Sequence, residues 1–178
     1  KQIRMKSAEA GFYTMFGSEA LGGGGQGATL AVLTQEFLYK TYGPAKILLH
    51  DVVVPSPFTN GLSPVLNGLS SHLQDQYVPG IGSGEKTLCF ALSEPDAGSD
   101  VWNMKTTAVK KGDRWVINGT KQWITNAPYA DYCMLFAVTD PELKNQRKGG
   151  ITCFFVDTKS AGFKVDSVIK LMGHQGGE

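Results

Sequence analysis

Histidine and cysteine are both scarce, with three of each in 178 residues. Cys89, Cys133 and Cys153 stand far apart in sequence, without CxxC spacing, each in an apolar run of strand character. That placement favours buried free thiols over a disulfide framework or a redox motif, and implies a reducing compartment. His50, His72 and His174 share no helical spacing, so no metal site is expected. An excess of one charge is missing too. Seventeen Lys and Arg against sixteen Asp and Glu leave a net charge of +1. Nucleic acid is therefore not an expected partner, because a phosphate backbone selects a concentrated basic patch. No apolar run approaches the ~20 residues of a membrane span, and no signal peptide is visible.

Several catalytic motifs fail on their surroundings. Gly22, Gly24 and Gly27 fit G-x-G-x-x-G, but residues 14–21 make a poor strand and no βαβ unit follows. A flexible turn opening a helix is the expected structure there. Residues 80–87 (GIGSGEKT) put Glu85 where a phosphate loop has glycine, and a carboxylate in a phosphate cradle is electrostatically wrong. No G-x-S-x-G elbow is present, so hydrolase chemistry has no support.

The chain changes character near Gly84. Residues 1–85 read as a partial α-helical domain. A helix is predicted over 27–42, with apolar Leu30, Leu33, Phe37 and Leu38 at helical period and Gly43-Pro44 as its stop. A second, buried helix is predicted over 45–54, a short one over 61–68, and another over 72–78 capped by Ser70-Ser71. Residues 79–84 read as a linker. Residues 86–178 read as a β domain lacking its last strand. Strands are predicted at 88–93, 106–110, 114–118, 121–125, 132–138, 151–156 and 163–168, with a hairpin at Lys111-Gly112-Asp113 and a tight turn at Asn118-Gly119. The charged stretch 140–148 reads as a solvated face. The fold class is α+β, a helical segment followed by an antiparallel, barrel-like β domain.

Two stretches carry chemical information: 90–100 (FALSEPDAGSD) and 123–126 (WITN). A buried strand ends at Ser93, breaks at Pro95 and enters the small-residue loop Ala97-Gly98-Ser99, whose amides suit an anion. If 121–125 is a strand, Trp123 and Thr125 share a face, an arrangement that suits a flat heteroaromatic ring. On the residues alone a second reading stands beside it: Trp123 as a core aromatic and 94–100 as an ordinary turn.

The order of these motifs resembles the acyl-CoA dehydrogenase family. The matching residues are Ser93–Asp100, then Lys105, Ala108, the run 112–121 (GDRWVINGTK) and 123–127 (WITNA). Upstream, Glu9–Phe12, Gln35-Glu36, Gln76–Pro79 and Ser83–Glu85 are similar to the family's N-terminal helical domain; downstream, 170–173 (KLMG) is similar to the end of its β domain. Asp96 departs from the small residue many members carry, and a turn aiming it at solvent accommodates that.

The resemblance implies FAD, lying between the β domain and a C-terminal helical bundle absent from these residues. Backbone around Phe90, Leu92 and Ser93 is expected at the pyrimidine edge of the flavin. Trp123, with Ile124 beside it, is expected against the ring system, and the Thr125 hydroxyl at N5. Gly98 and Ser99 are expected at the pyrophosphate, Ser99 also near the substrate's pantetheine. The implied reaction is α,β-dehydrogenation of an acyl-CoA thioester, with electrons passed to an electron-transfer flavoprotein. The glutamate base would lie in the missing bundle, so no catalytic residue is expected here, and the 178 residues alone should be inactive, hold FAD weakly and expose an unpaired sheet edge. A homo-oligomeric full-length protein, cytoplasmic in preference to the mitochondrial matrix, is implied as well. An acyl-CoA oxidase or another flavin relative is the alternative, or a non-catalytic binding module if the gene ends at 178. Trp102 and residues 55–72 read as core packing rather than pocket lining.

Overall fold

The computed structural model describes residues 1–43, 52–55, 61–170 and 172. Most of the helix predicted over 45–54 lies outside them, as do His50 and His174. Helix α1, Gln2–Glu9, was not predicted, for its apolar residues form no stripe; Gly11, at φ 80°, turns the chain away after it. Helix α2, Ala28–Tyr42, matches the prediction and stops at Gly43, at φ 73°. Its apolar Leu30, Leu33 and Phe37 are exposed among the described residues.

The glycine cluster is not a flexible tether. Gly25 and Gln26 donate backbone hydrogen bonds to Gly17 and Met15, each at 2.9 Å, and a Cβ on Gly24 would sit 2.9 Å from the Met15 carbonyl. Glycine lets two backbone segments touch here. A 3-10 turn, Pro64–Gly68, occupies the short helix predicted over 61–68, and helix α3 runs Ser71–Gly82. The chain therefore stays helical through Pro79, where a linker was expected. Val78 and Ile81 flank that proline and are both buried, so core packing outweighs the lost hydrogen bond.

Strands β1 (Leu88–Ala91), β2 (Thr107–Lys111), β3 (Arg114–Asn118), β4 (Tyr132–Val138) and β5 (Ile151–Asp157) form one sheet. The central strand, β4, pairs β1 in parallel and β5 antiparallel, and meets β2 in parallel at Thr107↔Val138. The sheet is thus mixed rather than antiparallel throughout, and its described strands form an open path. Parallel pairing needs a long return connection, and the chain between β1 and β4 supplies one that contains the β2–β3 hairpin. Two predicted strands are missing. Residues 121–125 are irregular, since Trp123 and Asn126 adopt φ of 64° and 68°, outside the range of a pleated strand. Residues 163–168 run without a ladder partner among the described residues. Within the charged stretch 140–148, Asp140 caps a short helix, α4 (Pro141–Asn145), accepting the amides of Glu142 and Leu143.

The sheet has two unlike faces. One carries Leu88, Phe90, Tyr132, Met134 and Phe155 against Leu21, Leu62, Leu66, Val78 and Ile81 of the helical part. The other carries Cys89, Ala91, Cys133, Leu135 and Val156, with Ile124, Ala127 and Phe163 packed over them. No described helix is long and apolar enough to cross a membrane.

Candidate functional site

Where β1 ends, the chain folds into a tight turn. Glu94 and Ala97 exchange backbone hydrogen bonds of 2.9 and 3.2 Å around Pro95-Asp96. Asp96 points outward, pairs with Lys105 at 2.5 Å, and accepts the Asn103 amide on its carbonyl at 2.6 Å. Both charges of that pair are exposed, so it contributes little. Beyond the turn, Gly98 and Ser99 are exposed and donate no backbone hydrogen bond to a described residue. A Cβ on Gly98 would meet nothing within 4 Å. Nothing in the described protein requires glycine there, and the space beside its Cα is open.

Glu94 points the other way, into the protein. Its carboxylate accepts the Lys105 amide at 2.6 Å, the Thr106 amide at 3.1 Å and the Lys121 ammonium at 2.8 Å. Side-chain exposure is 3% for Glu94 and 9% for Lys121, so the pair is a buried one. Burial opposes the charge of Glu94, but the hydrogen bonds from Lys121, Thr106 and Lys105 outweigh it and hold the carboxyl below its usual range. For Lys121 burial dominates and pulls the ammonium below its ordinary value, despite the carboxylate beside it. Lys121 Nζ also donates to the Leu92 carbonyl at 3.0 Å, and the Gln122 amide to the Ser93 carbonyl at 3.0 Å. Two motifs nearly thirty residues apart are thereby stapled into one edge. Sequence reasoning quoted Glu94 and Lys121 but gave them no role. Their signal was a charge of opposite sign in each motif.

The predicted site residues divide into groups. Trp123, Ile124 and Thr125 line a groove of about 940 Å³ that also takes in Ala91, Lys121 and the 160–169 segment. Trp123 is 60% exposed, not a core aromatic. It reaches the surface through the left-handed backbone at Trp123 rather than through strand alternation, so the shared-face argument was wrong in its geometry. The Thr125 hydroxyl has no hydrogen-bond partner among the described residues. Leu92 and Ser93 lie outside the groove lining but are joined to it by Lys121 and Gln122, while Gly98 and Ser99 extend the edge past the turn. The Phe90 ring turns to the helical side, 5.0 Å from Phe136. Because Thr87 accepts from the Tyr132 amide, alternation along β1 directs the main chain of Phe90 away from β4. A second cavity, of about 480 Å³, lies between α1 and α3, remote from both motifs.

The cysteines are free, with Cys89 and Cys133 buried and Cys153 only partly so. Cys89 and Cys133, distant in sequence, are register partners on β1 and β4. The Cys89 thiol and burial together push Cys133 far above its ordinary value, and burial pushes Cys153 to about 11. Thiols held neutral are poor nucleophiles.

The family described as acyl-CoA dehydrogenase, middle domain, matches residues 89–178. The chain belongs to the acyl-CoA dehydrogenase family. It is 34% identical over 169 residues to a glutaryl-CoA dehydrogenase of Desulfococcus multivorans, covering 93% of this chain and 41% of that protein. It is 36% identical over 173 residues to the caffeyl-CoA reductase-Etf complex subunit CarC of Acetobacterium woodii, covering 97% and 44%. A solved acyl-CoA dehydrogenase from Geobacillus kaustophilus superposes with a TM-score of 0.68 at 30% identity, over 90% of this chain and 40% of that one. The chain thus spans about two fifths of the length of the curated relatives it matches.

Proposed function

We propose that the edge built from 92–99 and 121–125 is one wall of an FAD site, in a protein that removes the α and β hydrogens of an acyl-CoA thioester. The observation that carries this is the staple of Lys121 and Gln122 onto Leu92 and Ser93. It sets an exposed indole, an unpartnered hydroxyl and the free amides of Ser93, Gly98 and Ser99 along one continuous edge. Each group answers a part of the cofactor. Trp123 offers an aromatic face with Ile124 beside it, Thr125 a donor, and Gly98-Ser99 an anion-binding backbone, with Ser99 also assigned to the pantetheine of the substrate. The outward main chain of Phe90 and the Ser93 amide suit the heteroatoms of a pyrimidine edge.

Bound FAD supplies a hydride acceptor at N5; the protein supplies placement and charge. The preorganised Ser93 amide would sit at the pyrimidine end of the ring and would favour negative charge there without reorganisation. The carboxylate that takes the α proton is assigned to a part of the protein outside these residues. An electron-transfer flavoprotein is proposed as acceptor, supported by the similarity to a subunit named for its Etf complex.

Full-length protein purified from cells should carry a flavin absorbance that bleaches under anaerobic acyl-CoA. Protein that folds, yet neither purifies with flavin nor takes up added FAD, sinks the reading. Rapid return of colour in air, with peroxide formed, would move it to the oxidase alternative.

A further inference from the structure

Lys121 has two partners of different kinds. One is the buried Glu94 carboxylate at 2.8 Å; the other is the Leu92 carbonyl at 3.0 Å. The second bond has a consequence beyond anchoring, because the Leu92 C=O and the Ser93 N–H belong to one peptide group. A cation on the oxygen of an amide draws electron density from the nitrogen and makes its N–H a stronger donor. Polarisation of this kind is larger in a low-dielectric interior than in water. The Ser93 N–H donates to no described group. The next peptide along the chain is fixed as well, because the Ser93 carbonyl accepts the Gln122 amide at 3.0 Å. With 9% side-chain exposure, little water competes with Lys121 for Leu92.

We propose that Lys121 is a positioning residue that polarises and fixes the Leu92–Ser93 peptide, so that the Ser93 N–H favours the reduced form of the flavin. The inference rests on the flavin reading above. Glu94 holds the ammonium in place and balances its charge, so the staple costs the fold no isolated buried charge. The sign follows from the chemistry. A stronger donor at the pyrimidine edge stabilises the added negative charge, which raises the reduction potential; removing the cation lowers it.

The test is the two-electron midpoint potential of flavin in full-length holoprotein, with FAD affinity measured in parallel. Lys121→Met should lower the potential by at least the equivalent of a tenfold change in the oxidised-to-reduced ratio, about 30 mV for a two-electron couple. Lys121→Arg should bring it most of the way back. Glu94→Gln keeps the cation on Leu92 and should hold the potential or raise it. A role confined to structure predicts instead that both single losses lower it alike. If Lys121→Met does not fold, the double variant Lys121→Met/Glu94→Gln carries the test, since no charge is left buried alone. Its potential should still lie about 30 mV or more below wild type. A potential equal to wild type in a folded, FAD-loaded double variant overturns the inference. Wild-type protein without flavin overturns the reading beneath it instead, so the two failures are distinct.

Discussion

The two faces of the sheet are built from the same strands by opposite means. On the helical side, β1 and β4 present Leu88, Phe90, Tyr132 and Met134, and these interlock with Leu62, Leu66, Tyr77 and Ile81. Tyr77, Tyr132 and Phe155 meet ring to ring at 5.0–5.1 Å. On the other side, alternation presents Cys89, Ala91 and Cys133, small residues that leave a groove. Large side chains make the first face a core. Small ones leave room on the second, and charge rather than volume ties down its edge through Glu94 and Lys121. Filled packing supplies stability, and an edge held by polar staples supplies donors and a surface at fixed places.

Breaking each face separately tests that contrast. The largest effect is expected at the edge, because Lys121→Met leaves Glu94 buried without its cation. Chemical denaturation should show a loss of about 3–5 kcal/mol, and a loss under 1 kcal/mol would mean that the staple is not structural. Acid breaks the same pair by another route. The folded carboxyl of Glu94 is held below its usual range, so its contribution is present above the ordinary glutamate value and lost as pH falls through the depressed folded one. The pH dependence of wild-type stability below about pH 4.5 should therefore be shallower in Glu94→Gln.

On the helical side Ile81→Ala should cost about 3 kcal/mol through a cavity at a fully buried position, with flavin content unchanged. Equal loss of flavin and stability in that variant would erase the distinction between the faces. The smallest change in stability is expected at Trp123→Ala. An exposed side chain should move stability by no more than about 0.5 kcal/mol. FAD affinity should nevertheless fall about tenfold, as loss of one aromatic stacking contact predicts. Titration of apoprotein with FAD measures it, and unchanged affinity would remove Trp123 from the site.

Much of this was legible in the residues. The hairpin around Gly112-Asp113 and strands β3 and β4 fall where the turn and periodicity signals put them, because short-range chemistry decides them. The groove-lining Trp123, Ile124 and Thr125 and the open amides of Gly98 and Ser99 were named from motif order. Two errors share a cause. Residues 121–125 follow a tight turn and hold β-favouring Trp, Ile and Thr, and Pro79 reads as a break, yet the first stretch is bent by Lys121 reaching Leu92 and Glu94, and the second is held helical by Ile81 in the core. Long-range partners overruled local preference in both places.

The sequence alone determined helix α2, the β2–β3 hairpin, strands β4 and β5, and the family, because these are properties of short segments and their order. Tertiary structure alone decided that Cys89 and Cys133 sit side by side, that the sheet is mixed, and that Glu94 and Lys121 bind two distant motifs into one edge. Each of those depends on where a long connection returns the chain. A buried charge has no settled partner until that return is made.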